Sequence, residues 1–291
     1  MTVCLFEGQG AQRTGMGAKL LDKYQDYVKQ ANDILGYSLR ELILENKDNR
    51  LNETLYEQPA LYVVECLSYL DYLDKNNNIK PDYVAGHSVG EYAALFAAGV
   101  FDFVTGLRLV AHRSKLMADV KHGGMLAIVG LHKDEIESVL DRDGLKNITL
   151  ASFNTDNEII LSGDEKNLRT AQAIFEPQAR LCIKLKVGGP FHSQFMKPVA
   201  ELFKGYLEDF TLNDPTIPVM SNVTGFPYAG GGDIAKENLV QQIYKPVYWH
   251  DVIMYLLIQG ENTFHEVEPG GILSNLVRKI IVGTGVDLHI E

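Results

Sequence analysis

An α/β fold carrying a smaller inserted unit is what this chain of 291 residues predicts, on three observations. Short apolar runs lead into helical stretches, at 2–6 and again at 81–88, the pattern of a parallel sheet covered on both faces. Between 124 and 187 the order changes to strand, helix, strand, strand, helix, strand. The composition is ordinary for a soluble globular chain, 46% apolar and 22% charged, and long enough to bury a large core.

Taken in order, "TVCLF" (2–6) reads as a strand that runs into the Gly-rich turn "EGQGAQRTGMG" before a helix at 18–35. "EQPALYVVECLSYLDYL" (57–73) is apolar at helical spacing and reads as a buried helix. "PDYVAGHS" is a strand entering a turn at Ser88, followed by two helices, "EYAALFAAG" and 104–120. After "KHGG" come strands at 125–131, 147–153, 158–164 and 179–187, with helices at 132–142 and 165–176. That is the ferredoxin-like order, so 124–187 is predicted to be a subdomain inserted into a catalytic domain made of 1–123 and 188–291. Segments 217–225 and 262–270 read as strands ending in turns, and "GGG" (230–232) as a surface loop.

The net charge of −11 argues against nucleic acid, which needs a concentrated basic face. No apolar run approaches the roughly 18–20 residues of a membrane span, and "MTVCLFEGQG" lacks the features of a secretory signal, so a cytoplasmic location is expected. Cys4, Cys66 and Cys182 are widely spaced and odd in number, which suits reduced packing thiols, and no metal-binding motif occurs.

The chemistry concentrates in "YVAGHSVGEYAALFAAG" (83–99). GxSxG between a strand and a helix is the nucleophile elbow, in which glycines permit a crowded turn that lifts the serine oxygen clear of the sheet. Ser88 then needs a base. His87 would point to the other side of the turn. His192, in "GGPFHSQFM", sits in a shaped loop where the chain re-enters the large domain, and from the residues alone it is one candidate among eight histidines. "GQGAQ" (8–12) fails as a dinucleotide fingerprint, with Arg13 where the last glycine belongs, and fails as a P-loop. What remains is a tight turn with exposed backbone N–H groups, suited to an oxyanion hole or simply a left-handed turn.

Together these segments resemble the malonyl-CoA:acyl carrier protein transacylase family over nearly the whole chain. "GQGAQRTGMG", "QPALYVV", "GHSVGEYAALFAAG", "FHSQFMKP" and "EVEPGGILSNLVRKI" are similar to its motifs, and 35–70 most resembles the discrete acyltransferases that serve polyketide synthases in trans. The resemblance implies an α/β-hydrolase-like large domain, with the site between it and the small subdomain. It implies Ser88 as the acylated nucleophile, His192 as general base, and Arg113 as the holder of the acyl carboxylate. The backbone N–H groups of Gln9 and Val89 match the family's oxyanion hole. Gln242 matches the residue whose carbonyl orients the histidine, and Asn154 an asparagine near the pocket. Val89 and Phe191 resemble malonyl-selective forms, Phe191 crowding a methyl branch. The implied substrates are malonyl-CoA and the phosphopantetheine thiol of an acyl carrier protein, with no resident cofactor. An acyl hydrolase of the same fold is the alternative, and a non-catalytic carrier-binding module a more distant one. Arg113 speaks against the hydrolase, because a buried unpaired guanidinium is costly.

Glu7 and Glu268 depart from the family pattern, standing where proline and glycine are usual, and both are expected to point to solvent. Along "CIKLKV", Ile183, Leu185 and Val187 are expected on one face, with Lys184 and Lys186 on the other, available with Arg180 to an acidic carrier protein.

Overall fold

The structure, a computed structural model, describes residues 2–267, 270–282 and 288–290. Nine strands are found among these: β1 (Thr2–Phe6), β2 (Tyr83–Gly86), β3 (Gly124–Val129), β4 (Ile148–Thr155), β5 (Glu158–Gly163), β6 (Leu181–Lys184), β7 (Val219–Met220), β8 (Thr263–Glu266) and β9 (His289–Ile290). Five form a parallel sheet in the order β7-β2-β1-β8-β9. Central β1 is apolar from Val3 to Phe6 because both faces are covered. Val3 and Leu5 pack with Trp249, Ile253 and Leu273, while Cys4 and Phe6 join the core beneath helix Thr54–Lys75.

The other four strands form an antiparallel sheet in the order β4-β5-β3-β6. With helices Lys133–Arg142 and Glu165–Phe175 this is the ferredoxin-like arrangement, and it encloses a core of its own around Ile128, Ile136, Leu161 and Phe175. Backbone bonds tie it to the large unit, Val247 N–H donating to Ala151 O (3.0 Å) and Phe153 N–H to Val247 O (2.9 Å).

Some elements differ from expectation. The helix at 18–35 is two, Ala18–Lys23 and Gln25–Leu35, broken at Tyr24. The strand at 217–225 is only β7, because the chain turns at once to bring Asn222 under the elbow. Strand β6 ends at Lys184, although Leu185 N–H still donates to Met125 O (3.0 Å). Leu185 and Val187 pack against the large core with Lys186 exposed between them, and all three line one cleft. Lys184 is held by Glu165 (2.6 Å) on the helix-covered side of the small sheet, which removes it from the proposed basic face. Leu181 and Ile183 are the exposed apolar side chains of β6.

Glu7 does not point to solvent. It is fully buried, with Oε1 accepting from the Ile272 N–H (2.8 Å). Burial, and then neighbouring Glu266, push its carboxyl well above the ordinary range. Its neighbour Glu266 caps helix Ile272–Ile281, accepting from Leu273 N–H (3.1 Å) and Ser274 N–H (2.8 Å). The other departure, Glu268, lies outside the described residues.

A raised folded pKa means that Glu7 supports the fold when protonated and that this support fades as pH climbs through the raised value. Glu7→Gln keeps the acceptor for Ile272 and cannot ionise. It should raise Tm by about 2–4 °C near pH 9 and by less near pH 5, as scanning calorimetry would read. An equal shift at both pH values would mean that Glu7 does not titrate in this way.

Candidate active site

Ser88 stands between β2 and helix Gly90–Ala97 with φ of 52°. The two glycines around it answer to space. A Cβ on Gly86 would overlap the Gly90 backbone, and one on Gly90 would overlap the Phe6 carbonyl. Asn222, fully buried at the end of β7, braces the turn from beneath: its Oδ1 accepts from Ser88 N–H (2.7 Å) and its Nδ2 donates to Gly86 O (2.6 Å). Side-chain and backbone bonds thus replace the regular structure that a left-handed serine cannot join.

His192 also has a positive φ, 55°, and its ring reaches Ser88, with Nε2 2.9 Å from Oγ. Its Nδ1 lies 2.8 Å from the Gln242 carbonyl and 3.3 Å from that of Lys245. Carbonyls only accept, so Nδ1 carries the proton and Nε2 is left to accept from the serine hydroxyl. Burial first, then the charges of Arg113 and His87, lower the pKa of His192 to about 3. The imidazole is neutral, the form in which it can take a proton.

Arg113, on helix Phe103–Ala118, is 1% exposed. Its Nη2 donates to Ser88 Oγ (3.1 Å) and Gln242 Oε1 (3.1 Å), its Nη1 donates to Gln58 Oε1, and the guanidinium lies 5.6 Å from the centre of the Tyr92 ring. No carboxylate among the described residues forms an ion pair with it. A buried guanidinium met only by amide carbonyls, a hydroxyl and a ring face is poised for an anion.

The loop after β1 lies against the elbow, where a Cβ on Gly8 would be 2.6 Å from the His87 carbonyl. Among the described residues no acceptor takes the backbone N–H of Gln9 or Val89, so both remain available to a ligand oxygen. The Gln9 side chain donates to Thr54 Oγ1 (2.9 Å), and Gly10 N–H donates to Glu57 (2.9 Å), which fixes the loop. Beside it a cleft of about 550 Å³ separates Gln9, Gln12 and Glu57 from Leu185, Lys186 and Val187.

His87 points away from Ser88, as its place in the turn requires. Its Nε2 meets Asn154 Oδ1 (3.2 Å) and Ser152 Oγ (3.3 Å), and its ring lies against Trp249. Burial lowers its pKa to about 4. Asn154 therefore holds His87 and is not brought onto Ser88 or His192. Phe191, buried next to His192, packs in the large core near Gly189. Among the described residues no group of three or more His, Cys, Asp or Glu side chains is placed to hold a metal ion.

Gln58, Glu91, Asn222 and the Gln242 side chain were not singled out from sequence. Gln58 and Glu91 are polar side chains inside otherwise apolar helical runs, and that was the available signal.

A strained serine at the end of a parallel strand, with a neutral imidazole already on its oxygen, places the protein in the class of α/β proteins that can form serine esters. The chain belongs to the acyl transferase domain family, whose model matches residues 3–282. It is 42% identical to the polyketide biosynthesis malonyl CoA-acyl carrier protein transacylase PksC of Bacillus subtilis, over 96% of this chain and 97% of that protein. Among solved structures it resembles the malonyl CoA-acyl carrier protein transacylase of Burkholderia pseudomallei, with a TM-score of 0.94, 41% identity and coverage of 98% and 99% of the two chains. It also resembles the malonyl-transacylase PlMCAT, solved with the type II polyketide synthase acyl-carrier protein AntF, with a TM-score of 0.91, 29% identity and coverage of 99% and 94%.

The low pKa of His192 sets the pH range of serine reactivity. Labelling of Ser88 by an uncharged sulfonyl fluoride should proceed at a constant rate from about pH 8 to about pH 5, with no fall near the ordinary histidine value of about 6.5. A rate that halves near pH 6.5, followed by mass spectrometry, would contradict the buried neutral imidazole.

Proposed function

We propose that the protein is a malonyl-CoA:acyl carrier protein malonyltransferase that supplies a polyketide synthase in trans. The observation that carries this reading is Arg113: a buried cation, without a carboxylate partner among the described residues, hydrogen-bonded to the nucleophile itself. A malonyl group brings the one feature such a site lacks, a carboxylate a few bonds from the reacting carbonyl.

In the proposed cycle Ser88 Oγ attacks the thioester carbon as its proton passes to His192 Nε2. The Gln9 and Val89 N–H groups take the developing oxyanion, and the Gln242 carbonyl steadies the imidazolium through Nδ1–H. Collapse breaks the C–S bond, and CoA leaves with the proton from His192. The carrier's phosphopantetheine thiol then gives its proton to His192 and attacks the ester, and Ser88 recovers its hydrogen as the malonyl thioester departs. No resident cofactor enters the scheme. Phe191 is proposed to crowd a methyl branch on the acyl group. Among the described residues no helix is long and apolar enough to cross a membrane. We place the protein in the cytoplasm, where acyl-CoA thioesters and reduced thiols are maintained.

Intact-protein mass spectrometry tests the reading. Malonyl-CoA should leave a malonyl adduct on Ser88 that moves to holo carrier protein, and Arg113→Ala should lower malonyl loading about 100-fold or more. Loss of acyl groups from carrier protein to water, with no malonyl adduct, would establish hydrolysis instead.

A further inference from the structure

Glu91 sits three residues beyond the nucleophile, fully buried in the first turn of helix Gly90–Ala97. Every group facing its carboxylate is drawn up as a donor. Oε1 accepts from Tyr228 O–H (2.5 Å) and the Asn222 N–H (3.3 Å), and Oε2 accepts from Gln242 Nε2 (2.6 Å). Gln242 Nε2 also donates to the Ser88 carbonyl (2.8 Å), which leaves Oε1 of the same amide facing Arg113. An amide's two ends are nearly the same in shape, and a flipped Gln242 would fit the same space. Flipped, it would turn an NH2 on the guanidinium and an oxygen on two acceptors. The acceptor-only carboxylate of Glu91 forbids that arrangement.

We infer that Glu91 is a positioning residue for acyl selectivity: it fixes the Gln242 amide so that Oε1 holds Arg113 at Ser88, and it supplies the buried counter-charge for Arg113 through that amide. The inference rests on Arg113 as the proposed carboxylate binder. The indirect placement has a chemical purpose. A carboxylate touching Arg113 would occupy the bidentate fork that the acyl carboxylate needs. Burial raises the Glu91 carboxyl to about 7 against the three donors that lower it. Above that pH it is an anion one amide away from Arg113, offsetting the buried positive charge and leaving the fork to the substrate. The first turn of a helix also favours the anion there.

Glu91→Gln cannot remain acceptor-only. Its NH2 must face either Gln242 Nε2 or the Tyr228 and Asn222 donors, so the Gln242 amide is no longer held one way. The expected result is malonyl loading reduced about 10- to 100-fold, with slow acetyl loading from acetyl-CoA and sulfonyl fluoride labelling of Ser88 kept within about twofold. Equal losses for malonyl and acetyl, or no loss for either, would overturn the inference. If Glu91→Gln does not fold, Gln242→Met reads the same link, and an unchanged malonyl-to-acetyl ratio there would overturn it as well. Arg113→Ala separates the two readings. Normal malonyl loading in that variant defeats the carboxylate-binding function and the inference with it. Selective malonyl loss in Arg113→Ala beside an unchanged ratio in Glu91→Gln defeats the inference alone.

Discussion

The turn at Ser88 is the constraint on which the rest of the structure depends. A serine in the left-handed region lies outside the ladder of β2, and its only bond into the following helix is the Glu91 N–H to its carbonyl (3.1 Å) among the described residues, so the turn must be held from outside. Phe6 does so above, its carbonyl accepting from His87 N–H (2.9 Å), and Asn222 does so below. Those two partners come from β1 and from the end of β7, the strands that flank β2. The parallel sheet therefore frames the serine on both sides. Gly86 and Gly90 are where the backbones come too close for any side chain.

The second constraint is electrostatic. Four ionisable groups, Arg113, His192, His87 and Glu91, share a space from which water is largely excluded, and no two of them are in direct contact as an ion pair. Two glutamine amides separate or satisfy them, Gln58 at Arg113 and Gln242 among Arg113, Glu91 and Ser88. Amide dipoles meet the guanidinium through Nη1 and Nη2 without neutralising it, which keeps the cation open. Burial holds both imidazoles neutral. Ser88 Oγ thus meets a cation, Arg113, on one side and a base that carries no charge on the other.

How much of this was legible in the sequence differs by residue. The elbow was readable because its glycines, strand and helix are contiguous, and the six-element order of the small unit was readable from alternating texture. His192 was not separable from other histidines by its surroundings, since what makes it a base is the approach of Ser88, 104 residues away, and the carbonyl of Gln242, 50 residues away. Glu7 misled because a lone carboxylate at a strand end ordinarily meets water, whereas here helix Ile272–Ile281 closes over it with its backbone N–H groups. Lys184 misled because the strand was read two residues too early and three too long, and its partner Glu165 belongs to a helix whose facing side no local pattern reveals. Asn222 was hidden in a segment that reads as strand until the tertiary fold bends it.

The small unit encloses its own core and is interposed between the elbow and the histidine loop. Bringing two points of an unstructured chain together costs entropy that rises with the length between them. Once the antiparallel sheet has formed, most of the 104 residues separating Ser88 from His192 are already compact, and the stretch still to be closed is far shorter. The insertion thereby acts as a folding spacer. The 104-residue separation of the serine–histidine pair is unchanged, but the loop entropy that its closure costs is lowered once the insertion is folded.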